Sequence, residues 1–151
     1  MSFKDDLLRR AREYTQRHGL ALGDELGSGV HGTVFVAESQ PEKAAGTAQS
    51  AIKVHQREPD YRRERDVYLR LKENELIVIC GCRVPEFVRF DDELWIIEMT
   101  VVTRPFVLDF AGAFLDKRPD FSEEVLADWR IEKQEKFGSR WPEVERVIRF
   151  L

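Results

Sequence analysis

The sequence predicts an α+β fold: a five-stranded antiparallel sheet with one helix between its third and fourth strands, an N-terminal helix and C-terminal helices. Three observations carry that expectation. Residues 26 to 36 read Leu-Gly-Ser-Gly-Val-His-Gly-Thr-Val-Phe-Val, a glycine-rich turn running into a β-branched stretch. Residues 59 to 74 open on Pro59 and set Tyr61, Val67, Tyr68 and Leu71 on one helical stripe. Residues 84 to 90 and 94 to 101 are apolar runs on either side of Asp91-Asp92-Glu93, the pattern of a hairpin.

Each element follows from its own residues. Phe3, Leu7, Ala11 and Tyr14 share a face of a helix over residues 3 to 18, and Gly19 supplies its stop. A strand over 20 to 26 leads into the glycine turn, and Thr33 to Glu38 form the next strand. Residues 39 to 50, with Pro41 and Gly46, read as a loop, and 50 to 55 as a third strand. Residues 76 to 80 are a short apolar piece. Ser122, followed by Glu123 and Glu124, caps a helix that ends near Gly138. Pro142 opens another, with Val144, Val147, Ile148 and Leu151 on one stripe.

Composition narrows the function classes. The chain has 151 residues and a formal net charge of −4, which argues against a nucleic-acid surface. No apolar run approaches the ~20 residues of a membrane span, and residues 1 to 6 lack a signal-peptide core. A cytoplasmic location is expected, with neither membrane nor nucleic acid as partner. Cys80 and Cys82 are the only cysteines, and His18, His31 and His55 lie far from them in sequence. No metal site is expected there, and the two thiols read as structural.

A G-x-G-x-x-G run alone is a weak signal. In a dinucleotide-binding fold it opens a helix. Here Thr33-Val34-Phe35-Val36 follow, which start a strand. No Gly-Lys-Ser/Thr is present, so it is not a Walker loop. Ala51-Ile52-Lys53 comes about 20 residues later, placing a cation where phosphate charge would need one. Glu64 lies in the middle of the apolar stripe of the helix over 59 to 74. A carboxylate on a core-facing stripe needs a partner. Lys53 is the candidate, and Glu58 and Glu73 are competitors near the helix ends.

Over residues 20 to 102 these motifs resemble the N-terminal lobe of the protein kinase superfamily. The resemblance implies that Gly27, Gly29 and Gly32 contact ATP phosphates through backbone N–H groups. It implies that Lys53 neutralises phosphate charge and that Glu64 orients Lys53. It further implies an apolar roof of Leu26, Val34 and Ala51 over the base, Ile97 as gatekeeper, and the backbone of Glu98 and Thr100 along the adenine edge. His31 is expected as a solvent-facing tip residue without a catalytic part.

The same resemblance shows what is missing. No His-Arg-Asp loop is present. Asp109-Phe110-Ala111-Gly112 follows Val102 too closely to be the metal-binding motif and is read as a turn. Mg would therefore bind only with a C-lobe. Residues 1 to 102 are expected as a kinase-like lobe, and 103 to 151 as a segment beginning a C-lobe. The apolar ending Arg149-Phe150-Leu151 is read as a truncation. The expected function is an ATP-binding lobe of a serine/threonine kinase-like phosphotransferase, inactive as this chain alone. The alternative is a pseudokinase-like interaction module whose C-terminal helices meet a protein partner or a missing C-lobe.

Overall fold

The structure, a computed structural model, describes residues 2–40, 48–79, 82–101 and 120–150. The expected break between 102 and 103, the Asp109 to Gly112 motif, Cys80 and the loop over 41 to 47 lie outside the described residues.

Helix α1 runs Phe3–His18. Ser2 and Asp5 form a reciprocal capping box at its start, and Gly19 ends it in the left-handed conformation at φ 66°. Strands β1 (Leu20–Gly29), β2 (Gly32–Ser39) and β3 (Gln49–His55) follow. Helix α2 is Glu58–Glu73, with Pro59 in its first turn. Two short strands, β4 (Val78–Ile79) and β5 (Cys82–Arg83), pair with each other. Strands β6 (Phe87–Asp91) and β7 (Ile96–Thr100) complete the main sheet, ordered β1-β2-β3-β7-β6. Every neighbouring pair in it is antiparallel.

Two expectations are corrected. The hairpin strands are shorter than the apolar runs, because Leu94 and Trp95 belong to the turn. Asp91 accepts from the backbone N–H groups of Glu93 and Leu94, and Trp95 takes φ 52°. The glycine run is also more ordered than a loop. Gly27 pairs with Val34 and Gly29 with Gly32, leaving only Val30 and His31 as the turn.

The sheet is covered on both faces. Alternate residues of a strand point to opposite sides, and β3 obeys this in full. Ile52 and Val54 pack with Leu7, Ala11 and Tyr14 of α1, together with Phe35, Leu94 and Ile96. Ala51 packs on the other face with Tyr61, Val67, Tyr68 and Leu71 of α2, and with Ile97 and Met99 of β7. Burying a large apolar side chain contributes about 1.5–3 kcal/mol, so the twelve named partners in these two layers dominate the stability of the sheet and its two helices.

Helix α1 is also fixed by polar contacts. The buried Arg10 donates to the carbonyls of Leu94 (2.9 Å) and His55 (3.0 Å). Tyr14 donates to Glu98 Oε2 at 2.7 Å. Ser50 donates to Glu98 Oε1 at 2.7 Å, and Arg89 lies 2.9 Å from Oε2. The Glu98 side chain is thus satisfied beneath α1.

The C-terminal residues form α3 (Glu123–Phe137), a 3-10 turn (Gly138–Arg140) and α4 (Trp141–Phe150). Ser122 caps α3, accepting from the Val125 N–H at 3.3 Å. The Trp129 and Trp141 rings meet edge to face at 6.3 Å. No helix among the described residues is long and apolar enough to cross a membrane.

Burial, then the hydrogen bond to Glu98 and its charge, push the Tyr14 hydroxyl well above its ordinary pKa. In the unfolded chain it ionises near its ordinary value of about 10. The folded form therefore holds more protons above that value, and the Tyr14 contribution is present below it and lost as pH rises. Tyr14→Phe should cost about 1–2 kcal/mol at neutral pH. The gap between wild type and variant should narrow towards about pH 11. Urea unfolding at both pH values measures it, and a gap that is constant or widens would refute the assignment.

Candidate functional site

Three polar side chains meet between β3 and α2. Lys53 is on the same face of β3 as Ala51, one strand period away. Its Nζ lies 2.8 Å from Glu64 Oε2, with the residues 7% and 1% exposed. The helical stripe predicted from sequence accounts for this contact, since Glu64 lies between Tyr61 and Tyr68 on the buried side of α2. Glu58 and Glu73 do not compete: Glu58 pairs with Arg62 on the surface, and Glu73 is exposed.

The third member is His55, fully buried and two residues beyond Lys53. Its Nε2 is 2.6 Å from Glu64 Oε2, the oxygen that Lys53 also touches. Its Nδ1 is 3.1 Å from the Trp95 carbonyl, which also accepts the His55 backbone N–H at 3.0 Å. A carbonyl only accepts, so Nδ1 carries a proton. The ring meets Tyr61 edge-on at 5.6 Å. The sequence shows His55 on the same strand face as Lys53, but nothing local marks it as a partner of Glu64.

The glycine hairpin folds down onto this region. Gln56 donates from its backbone to the His31 carbonyl (3.0 Å) and from its side chain to the Gly29 carbonyl (3.2 Å). His31 is not the solvent-facing tip that was expected. Its Nδ1 lies 3.4 Å from Oδ2 of the buried Asp60, at ion-pair distance but without a well-formed hydrogen bond. Arg57 and Arg63 hold the same carboxylate. Burial pushes the Asp60 carboxyl up, but the neighbouring His31 and Arg57 outweigh it and hold it below the usual range. The hairpin tip, the end of β3 and the start of α2 are therefore tied together.

The remaining candidates divide. Val34, Ala51 and Ile97 belong to the same apolar layer as Tyr61 and Met99. Ile97 pairs with Lys53 and is fully buried. Leu26 is 43% exposed beside Gly27. Glu98 and Thr100 correct the expectation of a backbone edge open to a base. Glu98 pairs with Ile52 on one side and Arg89 on the other. Thr100 pairs with Ser50, and its N–H donates to the Glu86 carbonyl at 2.9 Å. Both strand edges are occupied there. Among the described residues, no three His, Cys, Asp or Glu side chains lie together as metal ligands.

Comparison of the chain with protein-family models, with curated proteins and with solved structures finds no match.

Two of the three glycines test the hairpin directly. A Cβ on Gly32 would lie 2.2 Å from the Val54 carbonyl oxygen, closer than packing allows, whereas one on Gly29 meets nothing within 4 Å. Gly32→Ala should lose about 2–4 kcal/mol, because β2 must move away from β3. Gly29→Ala should stay within about 0.5–1 kcal/mol of wild type. Thermal unfolding of both variants checks this, and equal losses would contradict the close approach.

Proposed function

We propose that the chain is a kinase-like ATP-binding lobe, part of a serine/threonine kinase-like phosphotransferase. One observation carries the reading: a buried lysine–carboxylate pair lies between β3 and α2, next to a glycine hairpin whose tip is tied to Gln56 and Asp60. A buried ion pair is a poor device for stability alone, since apolar residues of similar volume serve as well or better. It is a good device for holding an ammonium still. An ammonium has three donors, so Glu64 and a phosphate oxygen can share Lys53. Gly27, Gly29 and Gly32 keep side chains out of the way of an approaching phosphate.

Val34 and Ala51 supply apolar surface next to Lys53, and a purine stacked there would also cover the exposed Leu26. Glu98 and Thr100 are spoken for by the sheet and leave no free backbone edge to a base. ATP would bring a γ-phosphoryl group for transfer to a hydroxyl acceptor. That transfer needs a carboxylate base and Mg ligands of the His-Arg-Asp and Asp-Phe-Gly type, which are supported here by no motif in proper order. The chain's own residues bind and orient.

A second reading, a pseudokinase-like interaction module, is favoured by α3. That helix buries none of its residues and exposes Val125, Trp129 and Ile131. Apolar side chains left exposed on a helix suit a protein partner or a second lobe.

The test is thermal stability with ATP, with and without Mg. At a hundredfold excess over Kd, binding contributes about 2.7 kcal/mol, a rise of about 5–10 °C in Tm for a chain of this size. Lys53→Met should still fold and should lose most of the rise. Absence of any shift with either form of the nucleotide would overturn the ATP reading in favour of the interaction module.

A further inference from the structure

The contact between His55 Nε2 and Glu64 Oε2 is as short as any unstrained hydrogen bond at the site, at 2.6 Å, and no part of the lysine–phosphate reading requires it. Its chemistry is constrained. Nδ1 is committed as a donor to the Trp95 carbonyl. At Nε2 a lone pair facing a carboxylate oxygen at that distance would repel, so one proton lies on the line between them. The Glu64 oxygen is therefore gripped from two directions, by the Lys53 ammonium at 2.8 Å and by the His55 ring. Both grips come from β3, from residues one strand period apart. The ring itself cannot move: it is fully buried, held by Trp95 on one side and by the Tyr61 ring on the other.

We propose that His55 is a positioning residue for the nucleotide site: it fixes the Glu64 carboxylate, and with it α2, under the Lys53 ammonium, so that the lysine keeps its place whether or not a phosphate is bound. This rests on the ATP-binding reading above. Its consequence is an asymmetry. Glu64 stays docked when Lys53 is removed, because His55 still holds it. When His55 is replaced by an apolar side chain, Lys53 must hold the carboxylate alone, and the ammonium is then shared between Glu64 and a ligand.

The experiment separates positioning from stability and from the ATP reading itself. ATP affinity and apo Tm are measured for wild type, His55→Leu and His55→Gln. Leucine fills the space without a donor, and glutamine restores one. His55→Leu should melt lower than wild type, having lost two buried hydrogen bonds, yet remain folded at the assay temperature and bind ATP about tenfold more weakly, the size of one hydrogen bond to a charged group. His55→Gln should recover most of that affinity. Wild-type affinity in His55→Leu, or equal weakening in both variants, would overturn the proposal. If wild type itself does not bind ATP, the nucleotide reading fails, and the grip is tested alone by imidazole 15N spectra of the apo protein. Glu64→Gln should then move the Nε2 resonance of His55 and leave Nδ1 in place, and the further variant Lys53→Met should leave Nε2 still bonded. An Nε2 resonance insensitive to Glu64→Gln would overturn the His55 grip by itself.

Discussion

A carboxylate in the protein interior dictates much of this structure. Glu64 is 1% exposed, and an isolated charge at such a depth would not be tolerated. Its partners must arrive from another element, at a fixed height and on a fixed face. Strand β3 meets that demand because its side chains alternate: Lys53 and His55 turn to α2 while Ile52 and Val54 turn to α1. The helical phase of α2 is set from the other direction, by Tyr61, Tyr68 and Leu71 packing beside Glu64. A one-residue slip of β3 would exchange the faces, placing Ile52 and Val54 against the carboxylate and Lys53 under α1. Register and ion pair thus stabilise one another.

The β6–β7 turn belongs to the same arrangement. Trp95 adopts a positive φ that costs a bulky residue of order 1–3 kcal/mol. Its carbonyl thereby accepts both the backbone and the ring of His55. Arg10 crosses over to the neighbouring Leu94 carbonyl and to the His55 carbonyl, and its guanidinium lies 5.2 Å from the Trp95 ring. The strained turn is held from α1 on one side and from β3 on the other. Helix α1 is consequently more than a cover for apolar surface: it fixes the backbone from which His55 projects.

Much of this was legible in the sequence, for identifiable reasons. Helices α1 and α2 are legible to within a residue because the apolar period agrees with Gly19 as a stop and Pro59 as a start. The choice of Glu64 over Glu58 and Glu73 was a phase argument, and helical phase survives folding. The strand ends were less legible, because Leu94 and Trp95 are as apolar as the strand that follows; only the Asp91 side chain, capping two N–H groups, places them in a turn. The roles of His31, Glu98 and Thr100 depended on contacts across the sheet and across the hairpin. Asp60 is 29 residues after His31 in the sequence, and nothing local announces that the two will meet. Glu98 was visible as a polar residue in an apolar run, but its partners Tyr14, Ser50 and Arg89 come from three separate elements.

Glu98 offers a contrast on the same sheet. It is a buried carboxylate on the same sheet, one residue from Ile97, with neutral and charged partners at 2.7–2.9 Å. Its network ties α1 to β3, β6 and β7, which is a sufficient structural account. Burial of a carboxylate is therefore no mark of a binding site in this protein. What sets Glu64 apart is the company on its face of the sheet. Its two basic partners come from one strand, and the tip of a glycine hairpin is fastened beside them through Gln56 and Asp60. Fastening α2 to the sheet would need only one cation, or none if leucines stood in place of the three. Two basic groups meet on a single oxygen here, one of them an ammonium, and an ammonium held next to the tip of a glycine hairpin is suited to an anion.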